Sequence, residues 1–174
     1  MQRQGLAARC STRHVVPTEG ERWELVRWEQ RAVSVMAPML QSVEWPGVDV
    51  VGETGAEAAW WIALVCDRHT AFQMDARDAL AAAVEEHRAP ARHLAYLEDR
   101  LRMHEGAGPQ LYGTQHRLFA DGSVELYPVA QPDLLVQRRQ HVGLPAAGYR
   151  QADLRLLSLT RGPHISSPAR RPSR

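Results

Sequence analysis

The amino-acid sequence predicts a mainly α-helical domain of the α+β kind, with five to six helices around a central apolar helix and one β-hairpin near residues 111–128. Three observations carry this expectation. Apolar residues recur at steps of three and four from Leu25 to Leu101, as one helix face after another requires. The segment from Ala58 to Cys66 is apolar without a break, which suits a helix enclosed by others. Past Gly108-Pro109 the pattern shifts towards alternation around Asp121-Gly122, a pair favoured in type I′ hairpin turns.

The first helix is expected from Thr18 to about Val43, with Glu21 three residues after Thr18 as the partner in a capping box. Leu25, Trp28, Ala32, Val35 and Met39 form one stripe, and Val26, Val33, Met36 and Leu40 a second beside it. So wide an apolar face calls for more than one neighbour. Glu44 to Gly52 contains Pro46 and Gly47 and is expected to be an ordered loop. A second helix follows from about Thr54 to Asp67, apolar on every side and therefore placed at the centre. A third runs from Ala71 to His87, with Phe72, Ala76, Leu80, Ala83 and Val84 inward. A fourth runs from Pro90 to His104, with Leu94, Leu97 and Leu101 inward and Gly106 as its stop. After the hairpin, Gln131-Pro132-Asp133 opens a short helix through about His141, and a last helical stretch lies near Tyr149 to Leu157.

The expected organisation is a basic, disordered tail over 1–18, one globular domain over 19–159, and a Ser/Pro/Arg tail over 160–174. Charge follows the same division. All 21 basic residues are arginine, and every acid lies between Glu19 and Asp153. The tails carry +3 and +4, leaving 14 arginines against 20 acids, about −6, in the body. Tails of this kind could contact nucleic acid, but seven arginines without interleaved aromatics favour solvated ends, so nucleic acid is a disfavoured partner.

Neither lysine nor asparagine occurs, which points to a GC-rich bacterial genome and excludes Schiff-base, phosphate-loop and general-base lysines. The longest apolar run is about half of the roughly 20 residues a membrane helix needs, so no membrane association is expected. The N-terminus lacks the apolar stretch of an export signal, and its arginines are read as a disordered start rather than a transit peptide. Cys10 and Cys66, far apart and in no C-x-x-C pair, fit a soluble protein of the reducing cytoplasm. Cys66 is expected to be a buried small hydrophobe rather than a nucleophile.

The motifs of several chemistries are missing. The eight histidines show none of the helical metal-ligand spacings, and His93 and His104, three turns apart, are separated by roughly 16 Å along a helix. No metal and no cofactor is expected. There is no dinucleotide or phosphate-loop glycine pattern, and Gly52-Glu53-Thr54-Gly55 reads better as a helix start than as an anion site. A hydrolase elbow is absent.

The cluster that carries the most polar chemistry is Asp99-Arg100 together with Gln110, Tyr112, Thr114 and Gln115, which follow a Gly-Pro break. Two readings stand side by side: a site that orients a small polar ligand, or a brace that ties the hairpin to the fourth helix.

The same residues carry a resemblance. Trp45-Pro46-Gly47, Val51-Gly52-Glu53, Ala59-Trp60, Ala71-Phe72-Gln73, Leu94-Ala95-Tyr96-Leu97 with Asp99-Arg100, Gln110-Leu111-Tyr112-Gly113-Thr114-Gln115, and Arg138-Arg139 with Gly143-Leu144-Pro145 resemble a family of small proteins, frequent in actinobacteria, known only as a domain of unknown function. The resemblance adds Arg139 to the candidate residues. It also implies a Gln-His-Ala-Asp string at the end of the tryptophan-bearing helix, where this chain has Leu64, Val65, Cys66 and Asp67. If that Gln-His pair is an acid-base group, only Asp67 remains of it, and catalysis by this member is not the expectation.

Two functions are therefore carried forward. One is a small-ligand site at the junction of the second helix, the fourth helix and the hairpin, built from Asp67, Asp99, Arg100, Gln110, Tyr112, Thr114, Gln115 and Arg139. The other is a non-catalytic module for a protein partner, in which exposed tryptophans among Trp23, Trp28 and Trp45 would act as anchors, although core positions are the commoner fate of tryptophan.

Overall fold

A computed structural model of the chain describes residues 18–42, 44–106, 108–118 and 124–146. The tails expected at 1–18, apart from Thr18, and at 160–174, the turn at Asp121-Gly122 and the helical stretch near Tyr149 to Leu157 lie outside the described residues.

Helix α1 (Glu19–Ser42) begins with the expected capping box. The Glu21 carboxylate accepts from the Thr18 amide at 2.8 Å, and the Thr18 hydroxyl accepts from the Glu21 amide at 3.2 Å. Of its two apolar stripes, the one through Met36 faces the core, while Trp28 and Val35 of the other stay exposed. The following loop sinks Trp45 almost completely into the core.

Helix α2 (Val48–Val65) starts earlier than its sequence predicts. A helical turn over 48–51 precedes Gly52, whose φ of 71° and ψ of 172° break the helix before it resumes. The glycine that reads as a loop signal is an interruption between two helical pieces, since only glycine holds that backbone cheaply. Ala59, Trp60, Ala63, Leu64 and Val65 are buried, and α2 contacts α1, α3 and α4.

Helices α3 (Thr70–Glu85) and α4 (Ala91–Glu105) pack against each other. Phe72, Ala76, Leu80 and Ala83 from α3 meet Leu97 and Leu101 from α4 in the core, with Val84 and Leu94 at its edge. Pro90 caps α4 instead of forming its first turn, and Gly106 ends it in the left-handed conformation with φ 65°. Trp60 ties α2 to α4 by donating its indole N–H to the His93 carbonyl at 3.1 Å, and its ring stacks on the His93 imidazole at 4.2 Å.

The hairpin is shorter than expected. Strands β1 (His116–Leu118) and β2 (Val124–Leu126) pair antiparallel, with Arg117 opposite Glu125. Leu111 to Gln115 is not a strand but a loop wound onto α4, because its amides are bonded elsewhere. A 3₁₀ turn over Pro132–Leu134 leads into α5 (Leu135–His141), as the Gln131-Pro132-Asp133 signal predicts. The chain is mainly helical with a small two-stranded hairpin, and no helix among the described residues is long and apolar enough to cross a membrane.

Candidate functional site

The junction of α2, α4 and the 110–115 loop is organised by two carboxylates with different roles. Asp99, on the inner face of α4, is fully buried. Its Oδ1 accepts from the amide of Leu111 at 2.6 Å, and its Oδ2 from the Thr114 amide at 3.0 Å and hydroxyl at 2.9 Å. The Tyr112 amide donates to both oxygens at 3.1 Å. Burial raises the Asp99 carboxyl above the ordinary carboxylate range, against the pull of the amides of Leu111, Thr114 and Tyr112.

Gln110 completes the brace. Its Nε2 donates to the carbonyls of Gln115 at 3.0 Å and Tyr127 at 2.8 Å, while its Oε1 accepts from the Gln115 amide at 2.8 Å. A single buried amide side chain thus takes over the pairing that a longer ladder would have supplied. From the other side, Arg139 on α5 donates to the carbonyls of Tyr112 at 2.6 Å, Gly113 at 3.2 Å and Pro145 at 2.6 Å. Gly113 sits at φ 63°, where the chain turns tightly enough for Leu135 to close over it.

Asp67 stands in the turn between α2 and α3 and keeps contact with solvent, its side chain 20% exposed. Arg100, one residue beyond Asp99 and so on a different side of α4, donates Nε to Asp67 Oδ1 at 2.9 Å and Nη2 to Oδ2. The guanidinium also donates through Nη1 to Gln115 Oε1 at 3.0 Å, and Gln115 Nε2 donates to the Thr114 hydroxyl at 3.2 Å. One continuous hydrogen-bond path therefore runs from Asp67 through Arg100, Gln115 and Thr114 to Asp99.

Two side chains that the sequence reading left out join Asp67. His104, one turn beyond Arg100, places Nε2 at 3.2 Å from Asp67 Oδ1, with its imidazole 32% exposed. Gln73, fully buried on α3, donates Nε2 to the carbonyls of Ala63 at 2.9 Å and Leu64 at 3.3 Å, and lies 3.4 Å from Asp67 Oδ1. It satisfies the open carbonyls at the end of α2 and holds the turn that carries Asp67. Burial pushes the Asp67 carboxyl up, but hydrogen bonds from His104 and Arg100, and then their charges, hold it below the ordinary range. The signal for His104 was its four-residue spacing from Arg100. That spacing is visible in the sequence, but only the fold puts Asp67 opposite.

All eight sequence-designated residues thus lie in one connected region. Asp99, Gln110, Thr114 and Gln115 are buried within it, whereas Asp67, Arg100, Tyr112 and Arg139 retain partial exposure. The Tyr112 hydroxyl bonds the Glu98 carboxylate, and burial followed by the Glu98 charge raises the phenol above its ordinary value. Cys66, beside Asp67 in the chain, is buried. Burial, with the charges of Glu29 and Asp67, pushes its thiol up to about 12, so the thiolate a nucleophile needs is disfavoured at neutral pH.

Comparison with known proteins adds one finding. No curated protein and no solved structure matches the chain. A family model described as a family of unknown function (DUF6624) matches residues 29–162, a span that holds all the site residues described above. The chain belongs to that family.

Proposed function

We propose that the chain binds a small anionic molecule, such as a carboxylate or phosphate compound, at the rim formed by Asp67, Arg100, His104 and Gln115. The observation that carries this reading is the convergence of two basic side chains on one partly exposed carboxylate, backed by buried glutamines. Arg100 and His104 meet Asp67 at a place solvent can reach. Arg100 commits three N–H donors to Asp67 and Gln115 out of the five a guanidinium has. Gln73 and Gln115 hold the cluster in place, so little ordering cost remains for a ligand to meet.

The same geometry supplies an oriented imidazole. Asp67 engages His104 through Nε2, leaving Nδ1 as the group able to exchange a proton with a bound molecule. The histidine that the family resemblance leads one to expect at position 65 is a buried valine here, and the imidazole beside Asp67 comes from α4 instead. Asp99, Gln110, Thr114 and Arg139 shape the loop behind the rim and act on a ligand through Gln115 and Tyr112. We place this binding in the reducing cytoplasm of a bacterium with a GC-rich genome, supported by the buried thiol and the arginine-only basic composition.

A thermal-shift titration with inorganic phosphate and a panel of small dicarboxylates tests the reading. A binder at 100 times its Kd stabilises the native state by about 2.7 kcal/mol, which moves the melting temperature measurably. The expected result is a saturable rise for the wild type that is smaller for His104→Gln, each measured from its own unliganded melting temperature. No rise with any anion, or an equal rise in the variant, removes the proposal.

A further inference from the structure

The outer face of α1 carries exposed apolar residues and lies apart from the polar junction. Glu24, Trp28, Arg31 and Val35 recur at steps of four, three and four and are all exposed. That spacing puts them on one side of the helix. Trp23 is 61% exposed, Trp28 41% and Val35 66%, an unusual concentration of large apolar side chains on a single helix. Beside them, α1 and α2 enclose a groove of about 430 Å³. Ala32, Met36 and Met39 line it from α1, and Gly55, Ala58 and Ile62 from α2. Small residues on the α2 side leave space in the groove, and the two methionines give walls that adapt to an incoming side chain. The groove lining includes Arg31 as its one charged residue.

We infer that this face binds the same face of a second copy of the chain, with the two α1 helices antiparallel and crossing at Trp28. The order of charges selects both the occupant and the direction. Glu24 lies one turn before Trp28 and Arg31 about one turn after it, and neither has an ion-pair partner among the described residues. Antiparallel docking about a twofold axis at Trp28 sets each Glu24 against the Arg31 of the other copy, giving two ion pairs around an apolar centre. Parallel docking in register sets Glu24 against Glu24 and Arg31 against Arg31, which is repulsive. In the antiparallel arrangement the two Trp28 side chains meet at the axis, where each also borders the end of its own groove, and their exposed apolar surface leaves water together. Trp23, Glu24 and Trp28 precede the region matched by the family model, whereas Arg31, Val35 and the rest of the groove lie inside it.

Sedimentation velocity of the full chain over a micromolar concentration series provides the test. A reversible monomer–dimer equilibrium is expected. Trp28→Ser should weaken it roughly 30-fold or more, as loss of a central aromatic anchor of at least about 2 kcal/mol implies. Arg31→Glu should also weaken it, and the double variant Glu24→Arg with Arg31→Glu should restore it, because the swap re-forms both pairs. All three positions are exposed, and circular dichroism checks that each variant keeps its helices. Monomers at every concentration overturn the inference. So does a dimer indifferent to Trp28→Ser, or one broken by Arg31→Glu and not rescued by the swap. Native mass spectrometry showing a monomer with a small apolar molecule bound would assign the groove to a ligand instead and overturn it as well.

Discussion

Asp99 accepts three backbone amides and one hydroxyl, all from a segment that lies 12 to 15 residues further along the chain. A carboxylate in this position replaces a stretch of strand pairing, and its removal leaves several buried donors without an acceptor. Asp99→Ala should therefore cost about 3–5 kcal/mol, more than Asp99→Asn, which keeps one acceptor oxygen. Urea denaturation of the two variants measures this, and an Ala variant within about 1 kcal/mol of wild type would refute the bracing role. At this scale the polar residues were legible in the sequence and their division of labour was not. Asp99 and Arg100 are neighbours of equal polarity, yet the 100° step between them on a helix buries one and sends the other to Asp67. His104 and Gln73 stand in the sequence as an isolated histidine and part of a family string, and only the packing of α3 and α4 against the end of α2 brings them to Asp67.

Helix starts and stops that depend on local chemistry follow the sequence closely. The Thr18/Glu21 box and the Gly106 stop are complete within four or five residues of chain, so nothing distant can override them. Gly52 is the counterexample, since glycine signals a positive φ without saying whether helix continues on both sides. Its ψ of 172° lies in a region essentially reserved for glycine, and a Cβ built there meets nothing within 4 Å. Gly52→Ala should thus destabilise by about 1–3 kcal/mol through backbone strain alone. Equilibrium unfolding checks this, and a change below about 0.5 kcal/mol would mean that α2 straightens through position 52 at no cost. The hairpin was overextended for the opposite reason. Leu111 to Gln115 alternates like a strand, but Asp99 and Gln110 have already taken its amides.

For the whole molecule, acid stability follows from groups that link helices. His93 is stacked on Trp60 between α2 and α4, and burial, then the charge of Arg92, lowers its imidazole to about 4 from the ordinary 6.5. The unfolded chain binds that proton more readily than the folded one. Stability is therefore full above about pH 6.5 and falls as pH drops towards 4, by about 3 kcal/mol in all. Asp67 adds a second, lower window, because its depressed carboxyl contributes stability that is lost only as pH falls through its folded-state value. The raised carboxyls of Asp99 and Glu98 act in the opposite sense, favouring the fold on their protonation. Urea midpoints measured from neutral pH downward should show the upper window in the wild type and not in His93→Phe, and a wild-type midpoint flat across it would exclude the assignment.

The sequence by itself determined the mainly helical class, the order of helices and hairpin, and eight of the polar residues that meet at the junction. Those properties rest on periodicity, capping and turn chemistry, which act over a few residues. Only the tertiary structure decided which carboxylate is a buried brace and which faces water, that an imidazole from α4 stands on Asp67, and that the tryptophans of α1 remain outside while Trp45 goes in. Those outcomes depend on which helix surfaces cover one another. That is a property of the packed molecule, and no single stretch of the chain encodes it.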